Sequence, residues 1–485
     1  MEENTRLSSI ISQKQKRLVA VRRLIVIALL VAGVVFLDTR DSARPQAQSQ
    51  PYYSTVTLSA GANPSAAKIG DLDGDGLNDI VVVNLNGSMQ LFFSKGAGPF
   101  ERISLNGLWP SGAKTLDVDI GDLNRDGRND LAVAFSTPTG AISVLFNQGN
   151  RQFSAPVNYD SCGNSNGVAI GDLNLDGNND LADIGQCSKA GVLLNSGQGT
   201  FTSSGAYGSG SDSRSILLAD FNRDGFKDIA YVNNGVGANG SATVLFNKGN
   251  GTFGDAVWLY AGDLPDDLTA GDFNGDGNTD IAIANSYYSQ VIMLFGSSDG
   301  SFSGGYSELG GVDSPTSIVS GDFNGDGRLD YAVTSWSTGQ LSVFTNRDGY
   351  SFAGAGTFSV GQTPVAIAAG KLDGDSLPDL VAVNQGSGTI TVLFSAAGSP
   401  PPPPPSQITL TVSTRSAKQG RLVDLKWSGA TGSSVDIYRN GNRIATVSNT
   451  GSYTDQFDKR AKGTFTYKVC VTGSQTCSNQ AAVSF

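Results

Sequence analysis

One acidic phrase, repeated at a nearly constant interval, limits what this 485-residue chain can fold into. It reads IGDLDGDGLNDIVVVN from Ile69, IGDLNRDGRNDLAVAF from Ile120, IGDLNLDGNNDLADIG from Ile170 and LADFNRDGFKDIAYVN from Leu218. It returns as AGDFNGDGNTDIAIAN from Ala270, SGDFNGDGRLDYAVTS from Ser320 and AGKLDGDSLPDLVAVN from Ala369. The first loop position falls at 71, 122, 172, 220, 272, 322 and 371, in steps of 48 to 52 residues. A single repeat of this size cannot bury its own apolar face, so a period near 50 means stacked units, a propeller or a solenoid.

Each repeat reads as four strands. The first strand runs into the acidic loop and the second leaves it. The third is a run such as VLFN, and a Gly turn leads to a fourth strand opening on Phe, as in SVLFNQGNRQF, VLLNSGQGTF, TVLFNKGNGTF and MLFGSSDGSF. Four-stranded units at this period are expected to be propeller blades. Kelch-type repeats lack the acidic loop, and RTX solenoids have a nine-residue period. The seventh repeat stops at TVLFS (391–395), without a fourth strand, while YYSTVTL (52–58) precedes the first repeat. The N-terminal strand is therefore expected to complete the last blade, closing a seven-bladed ring with no exposed edges.

The loop D-x-[DN]-x-D-G-x-x-D places oxygen side chains at positions 1, 3, 5 and 9. Gly at position 6 permits a sharp bend, and the position-7 carbonyl adds a donor. Hard oxygen donors without nitrogen or sulfur select Ca²⁺. Clustered carboxylates without a cation would repel one another. Six sites are expected. The first uses Asp71, Asp73, Asp75, Leu77 and Asp79; the second Asp122, Asn124, Asp126, Arg128 and Asp130; the third Asp172, Asn174, Asp176, Asn178 and Asp180. The fourth uses Asp220, Asn222, Asp224, Phe226 and Asp228; the fifth Asp272, Asn274, Asp276, Asn278 and Asp280; the sixth Asp322, Asn324, Asp326, Arg328 and Asp330. The seventh loop has Lys371 for the first Asp, Ser376 for the Gly and Pro378 before Asp379. Its lysine is expected to neutralise Asp373, Asp375 and Asp379 in place of a metal. These loops hold 22 of the 44 acidic side chains, so the net charge of −11 is largely organised.

The phrase resembles the FG-GAP (VCBS-type) repeat of integrin α subunits and many bacterial surface proteins, over residues 52–398. The resemblance implies a calcium-binding β-propeller with calcium loops on one face and ligands on the other. It does not imply an integrin-like heterodimer, because nothing matches the remaining integrin domains.

Composition excludes several functions. There is no His, which removes Ser-His-Asp and Cys-His catalysis and His-ligated metals. An acidic chain does not suit nucleic acid. Gly is abundant (62 residues) and charged residues are 16%, which suits short strands and tight turns over helices.

Residues 24–37, LIVIALLVAGVVFL, follow Lys14, Lys16, Arg17, Arg22 and Arg23. As a helix they span about 21 Å at 1.5 Å per residue, short of a ~30 Å bilayer core. They read as an export signal or an uncleaved anchor, and either exports the remainder to the periplasm, the cell surface or the medium. The domains are then 1–50, the basic segment, hydrophobic helix and linker; 51–398, the propeller; 399–406, a polyproline spacer; and 407–485, a small β-sandwich. That last segment resembles a fibronectin type III or immunoglobulin-like domain, with Trp427, Tyr438 and Tyr467 at core positions and a hairpin turn at NGN. In an exported chain the four cysteines favour two disulfides. Cys162 and Cys187 fall in neighbouring loops of one repeat, and Cys470 and Cys477 flank a hairpin, so these are the expected pairs.

For ligand binding, Trp109, Tyr260, Tyr287, Tyr288 and Trp336 fall in or near loops opposite the acidic ones, suited to stacking on a glycan or anchoring a protein. Lys68 and Asp119 are expected to pair in a wet axial channel beside Asp117, and Asp263, Asp266 and Asp267 to lie in a solvated loop. The reading is an all-β, non-enzymatic, monomeric surface or secreted adhesion module for a protein or glycan ligand. The alternatives are a propeller-based lyase or hydrolase, or a structural spacer.

Overall fold

The computed structural model describes residues 52–485 apart from 97–98, 110–111, 137–140, 161–164, 186–188, 209, 211, 236–239, 308–311, 397–407, 418–419, 429, 431–433, 473–477 and 479–480. The hydrophobic segment 24–37, the proline run, and Cys162, Cys187 and Cys477 lie outside the described residues. Within them the chain is all-β, and no helix is long and apolar enough to cross a membrane.

Seven four-stranded antiparallel sheets follow the repeats. Their first strands are Pro64–Gly70, Lys114–Gly121, Ser165–Gly171, Ser213–Ala219, Pro265–Gly271, Pro315–Gly321 and Pro364–Gly370. The next three strands pair outward in chain order, as Asp228–Asn233, Ser241–Asn247 and Phe253–Tyr260 do in the fourth sheet. The seventh sheet takes its outer strand from the start of the chain: Tyr52–Ser59 pairs with Thr389–Ala396 over eight residues. A small extra hairpin, Asn147–Gly149 with Gln152–Phe153, carries the turn of the second sheet.

The second strands explain the pattern DIAIAN. Each is buried on both faces, because sheets cover it on either side. Among the described residues the apolar clusters of the repeats lie between consecutive sheets. Val81, Val83 and Leu91 meet Leu131 and Val133 between the first two sheets. Ile80 and Val82 meet Val381, Val383 and Ile390 between the first and the seventh. The first strands also touch in sequence, and Pro64–Gly70 contacts both Lys114–Gly121 and Pro364–Gly370.

Residues 408–485 form a three-stranded sheet (Thr409–Ala417, Gly420–Ser428, Ser452–Phe457) and a four-stranded one (Asn442–Ser448, Ser434–Arg439, Thr464–Val471, Ala481–Ser484). They share one core containing Trp427, Val435, Ile437 and Tyr467. Tyr438 is not in that core. Its neighbour Ile437 points inward, so strand alternation leaves Tyr438 half-buried on the opposite face. Asn440 and Gly441 make the hairpin turn, both with positive φ, as a two-residue turn of this kind demands. Cys470 is buried and disulfide-bonded, while its expected partner lies outside the described residues.

Candidate metal centre

The acidic loops join first to second strands, so they and the turns between third and fourth strands lie at one end of each sheet. The other two sets of loops lie at the opposite end. Within a loop the positions divide into two groups.

Positions 2 and 9 fasten the loop to the fold. Leu72, Leu123, Leu173, Phe221, Phe273, Phe323 and Leu372, all at position 2, are buried plugs in the cores between sheets. The position-9 aspartates Asp79, Asp130, Asp180, Asp228, Asp280, Asp330 and Asp379 have no exposed surface. One carboxylate oxygen accepts the N–H of the plug and the other accepts an N–H at the end of the third strand. For Asp180 these are Leu173 at 2.8 Å and Asn195 at 2.7 Å. Burial raises these carboxyls to about 6, and to about 7 for Asp228 and Asp330, with loop carboxylates adding to the effect.

Positions 1, 3 and 5 form the turn. Asp322 accepts N–H groups from Gly325 (2.7 Å), Asp326 (3.0 Å) and Gly327 (2.8 Å). Asn324 Oδ1 accepts from Asp326 N, and Asp326 Oδ1 from Arg328 N. In the other intact loops the position-6 N–H also bonds the position-1 carboxylate, the position-5 N–H the position-3 oxygen and the position-7 N–H the position-5 carboxylate. Asn124, Asn174, Asn222 and Asn274 also donate Nδ2–H to the position-5 carboxylate. In the first loop Asp71, Asp73 and Asp79 bring ligand oxygens within 4.8 Å of one another. In the third, Asp172 Oδ1 is a buried carboxylate oxygen with no hydrogen-bond partner. An oxygen-only donor set, an orphaned buried carboxylate oxygen and carboxyls pushed up by burial, with neighbouring carboxylates adding to it, all fit a hard divalent cation. The residues present therefore fit calcium.

The seventh loop differs from expectation. Lys371 is exposed and forms no ion pair with Asp373, Asp375 or Asp379 among the described residues. The long flexible side chain stays in water, where a solvated ammonium gains little from a surface pair. Its carbonyl instead accepts Asn78 Nδ2–H at 3.0 Å.

Asn78 belongs to a set of cross-sheet ties that sequence reasoning missed. Asn129 and Asn179, also at position 8, donate to the position-1 carbonyls of the preceding loops, Asp71 and Asp122. The asparagine closing VLFN does the same at position 2. Asn147, Asn195, Asn247 and Asn346 reach Leu72, Leu123, Leu173 and Phe273 carbonyls at 2.7–2.8 Å. Ser94 Oγ does so toward Leu372, tying the first sheet to the seventh. The recurring Asn was visible in the sequence, but its acceptor lies about 75 residues away and is backbone.

The axial charges sit between first strands. Lys68 Nζ lies 3.8 Å from Asp119. Asp117 accepts Val168 N–H, and burial raises its carboxyl to about 6. Asp266 and Asp267 are not in a solvated loop. They belong to strand Pro265–Gly271, and Asp267 accepts Ser317 Oγ and Ile318 N–H. The β-pairing of Pro265 with Asn285 extends that strand further than its turn-like composition suggested. A cavity of about 450 Å³ here is lined by Ser65, Leu116, Asn166, Arg214, Asp266, Thr316 and Val365, one residue from each first strand.

The loops at the opposite end hold most of the expected aromatics. Tyr260 and Tyr287 are each 60% exposed, with Tyr288 and Trp336 close to half-exposed. Tyr287 and Tyr288 meet edge-to-face at 4.9 Å, and Tyr288 Oη donates to Asp263 at 3.1 Å. That bond, with Tyr260 and Tyr287 nearby, pushes the Tyr288 phenol up. Trp109 is not part of this surface. It is 7% exposed, packs on Phe135 and donates Nε1–H to Ser143 Oγ, because an indole with a hydrogen-bond partner inside the core is well satisfied there.

Residues 71–133, 122–182, 272–333 and 322–382 match the sequence profile of the FG-GAP-like repeat. The chain carries FG-GAP-like repeats, and its four-stranded sheets are those of a β-propeller. A solved structure of similar fold is BBS1N in complex with ARL6DN, soaked with mercury: TM-score 0.51 at 11% identity, over 73% of this chain and 99% of that one. The same complex soaked with lead gives a TM-score of 0.47 at 12% identity, over the same shares. At 11% identity the likeness to the first is one of fold. No curated protein matches the chain in sequence.

Proposed function

We propose that the chain is an exported, calcium-loaded, seven-bladed β-propeller that binds a glycan or protein through the loops opposite its acidic ones. The observation that carries the binding role is the exposed cluster of Tyr260, Tyr287 and Tyr288 beside Asp263. Exposed rings that stack edge-to-face and are held by a carboxylate form a pre-ordered platform, which lowers the entropic cost of binding. Six loops hold calcium and the seventh does not, since it lacks the first carboxylate. Closure of the ring by the N-terminal strand is supported by the pairing of Tyr52–Ser59 and by the apolar cluster between the first and seventh sheets. The tail is a fibronectin type III-like sandwich on a proline spacer, and residues 24–37 direct export. Cys162–Cys187 and Cys470–Cys477 are the proposed disulfides.

A glycan array and a pull-down from the native surface test the role, with Y287A/Y288A as control. Binding lost in that variant, with the melting temperature unchanged, supports it. Release of reducing sugar by the wild type would replace it with an enzymatic role.

A further inference from the structure

Among the six intact loops the first alone has Asp at position 3: Asp73 stands where the others have Asn. It holds four carboxylates and the others three. The asparagines at this position donate Nδ2–H to the position-5 Asp, which a carboxylate cannot do. Asp73 Oδ2 instead receives Arg151, with Nε at 2.8 Å and Nη2 at 2.7 Å. Asp73 Oδ1 accepts Asp75 N–H, as the Asn Oδ1 does elsewhere. The Asp73 side chain is 8% exposed, so this ion pair is poorly screened. Arg128, which pairs with Asp126 in the second loop, is more exposed and belongs to its own loop.

Arg151 comes from the neighbouring second sheet, from the turn between its third and fourth strands. Its Nη1 also reaches Glu101 at 2.8 Å, and its guanidinium lies 4.4 Å from the centre of the Phe93 ring. The repeat normally places Gly here. Gly199, Gly251 and Gly300 hold the matching turn position with φ of 71°, 72° and 77°, and Arg151 adopts 62°. A Cβ on those glycines would meet Phe146, Leu194 and Phe246 of the preceding sheet, the counterparts of Phe93. A side chain in this left-handed conformation is strained, so the arginine occupies a position that the backbone reserves for glycine.

We propose that Arg151 sets the cation affinity of the first loop. It orients Asp73 by Oδ2, leaves Oδ1 to the loop, and offsets the fourth carboxylate so that the first loop carries the charge of three carboxylates, as the third loop does with Asp172, Asp176 and Asp180. The inference rests on the calcium reading of the loops. A fixed positive charge bound to a ligand carboxylate opposes a divalent cation in the same loop, and its removal tightens binding roughly tenfold.

Hydrogen–deuterium exchange of the full chain, titrated with CaCl₂ and read peptide by peptide, tests this without reference to ligand binding. Arg151→Gly restores the repeat's own residue, so the turn is relieved of strain and the fold is kept. The calcium midpoint of the peptide spanning 71–79 falls about tenfold in R151G, while the peptide spanning 172–180 keeps its midpoint. Adding Asp73→Asn to R151G returns the first loop to the midpoint of the third. A first-loop midpoint that stays put or rises in R151G, with the third loop still responding, overturns the inference alone. If no loop responds to calcium, the calcium reading falls and this inference falls with it.

Discussion

The sixth and seventh loops differ at the positions that matter most for a cation, yet they are fastened to the fold in the same way. Asp330 accepts Phe323 N–H at 3.1 Å and Asn346 N–H at 2.8 Å, while Asp379 accepts Leu372 at 2.7 Å and Ser395 at 2.8 Å. Asp326 N–H bonds Asn324, and Asp375 N–H bonds Asp373. What the seventh loop loses is the position-1 carboxylate, which in the sixth gathers three N–H groups. Gly327 takes a φ of 83°, while Ser376 is not among the residues with positive φ. The loop therefore has two parts. Positions 2 and 9 anchor it and survive the loss of the position-1 carboxylate. Positions 1, 3 and 5 build the turn, and position 9 belongs to both parts, since Asp79 brings a carboxylate oxygen within 4.8 Å of those of Asp71 and Asp73.

Calcium removal should break the comparison most visibly. At free calcium ten times Kd each loaded loop adds about 1.4 kcal/mol, so six independent loops together contribute on the order of 8 kcal/mol. Chelator should lower the melting temperature steeply, and bound-metal analysis should find six ions per chain; seven would mean that loss of the position-1 carboxylate does not abolish calcium binding.

Removal of the shared anchor comes next. D379A leaves two buried N–H groups unpaired and should cost about 4 kcal/mol in denaturant unfolding, with or without chelator. D330A should cost as much in chelator and more in calcium. Equal losses for both variants in calcium would erase the distinction between the two loops.

The cross-sheet ties should matter less. Asn247→Ala removes bonds to the Leu173 and Lys227 carbonyls and should cost about 3 kcal/mol, independent of calcium. A loss that vanished in chelator would make the asparagine part of the metal site.

The smallest effect is a pH dependence away from the loops. Asp117 has a folded pKa of about 6, raised by burial above its unfolded value. Its contribution is therefore fully present below about pH 4 and is lost as pH rises through 6. Relative to wild type, D117N should gain about 2 kcal/mol between pH 4 and 7 in calcium-saturated protein. A parallel pair of stability curves would show that Asp117 titrates normally.

Much of this architecture was legible in the sequence. The period near 50 residues, the Gly turns and the doubly buried DIAIAN-type strands all follow from local pattern, because a strand covered on both faces must be apolar throughout. The convergence of Asp71, Asp73 and Asp79 was legible for the same reason: a nine-residue loop is a local object, and its spacing decides which oxygens come together. Even the plugs were in view, since every loop has Leu or Phe at position 2.

Tertiary structure alone decided the rest, because it depends on partners far away in the chain. Trp109 and Tyr287 look alike as loop aromatics, but one finds Ser143 and Phe135 inside the core while the other finds water. Asp266 and Asp267 read as a polar loop until strand pairing draws them to the axis. Lys371 looked like a substitute cation, yet its ammonium stays with solvent. Arg151 lies in the turn of SVLFNQGNRQF, and only the packing of the second sheet against the first brings its charge to Asp73. Spacing along the chain sets local geometry, whereas burial and long-range charge are set by which sheets meet.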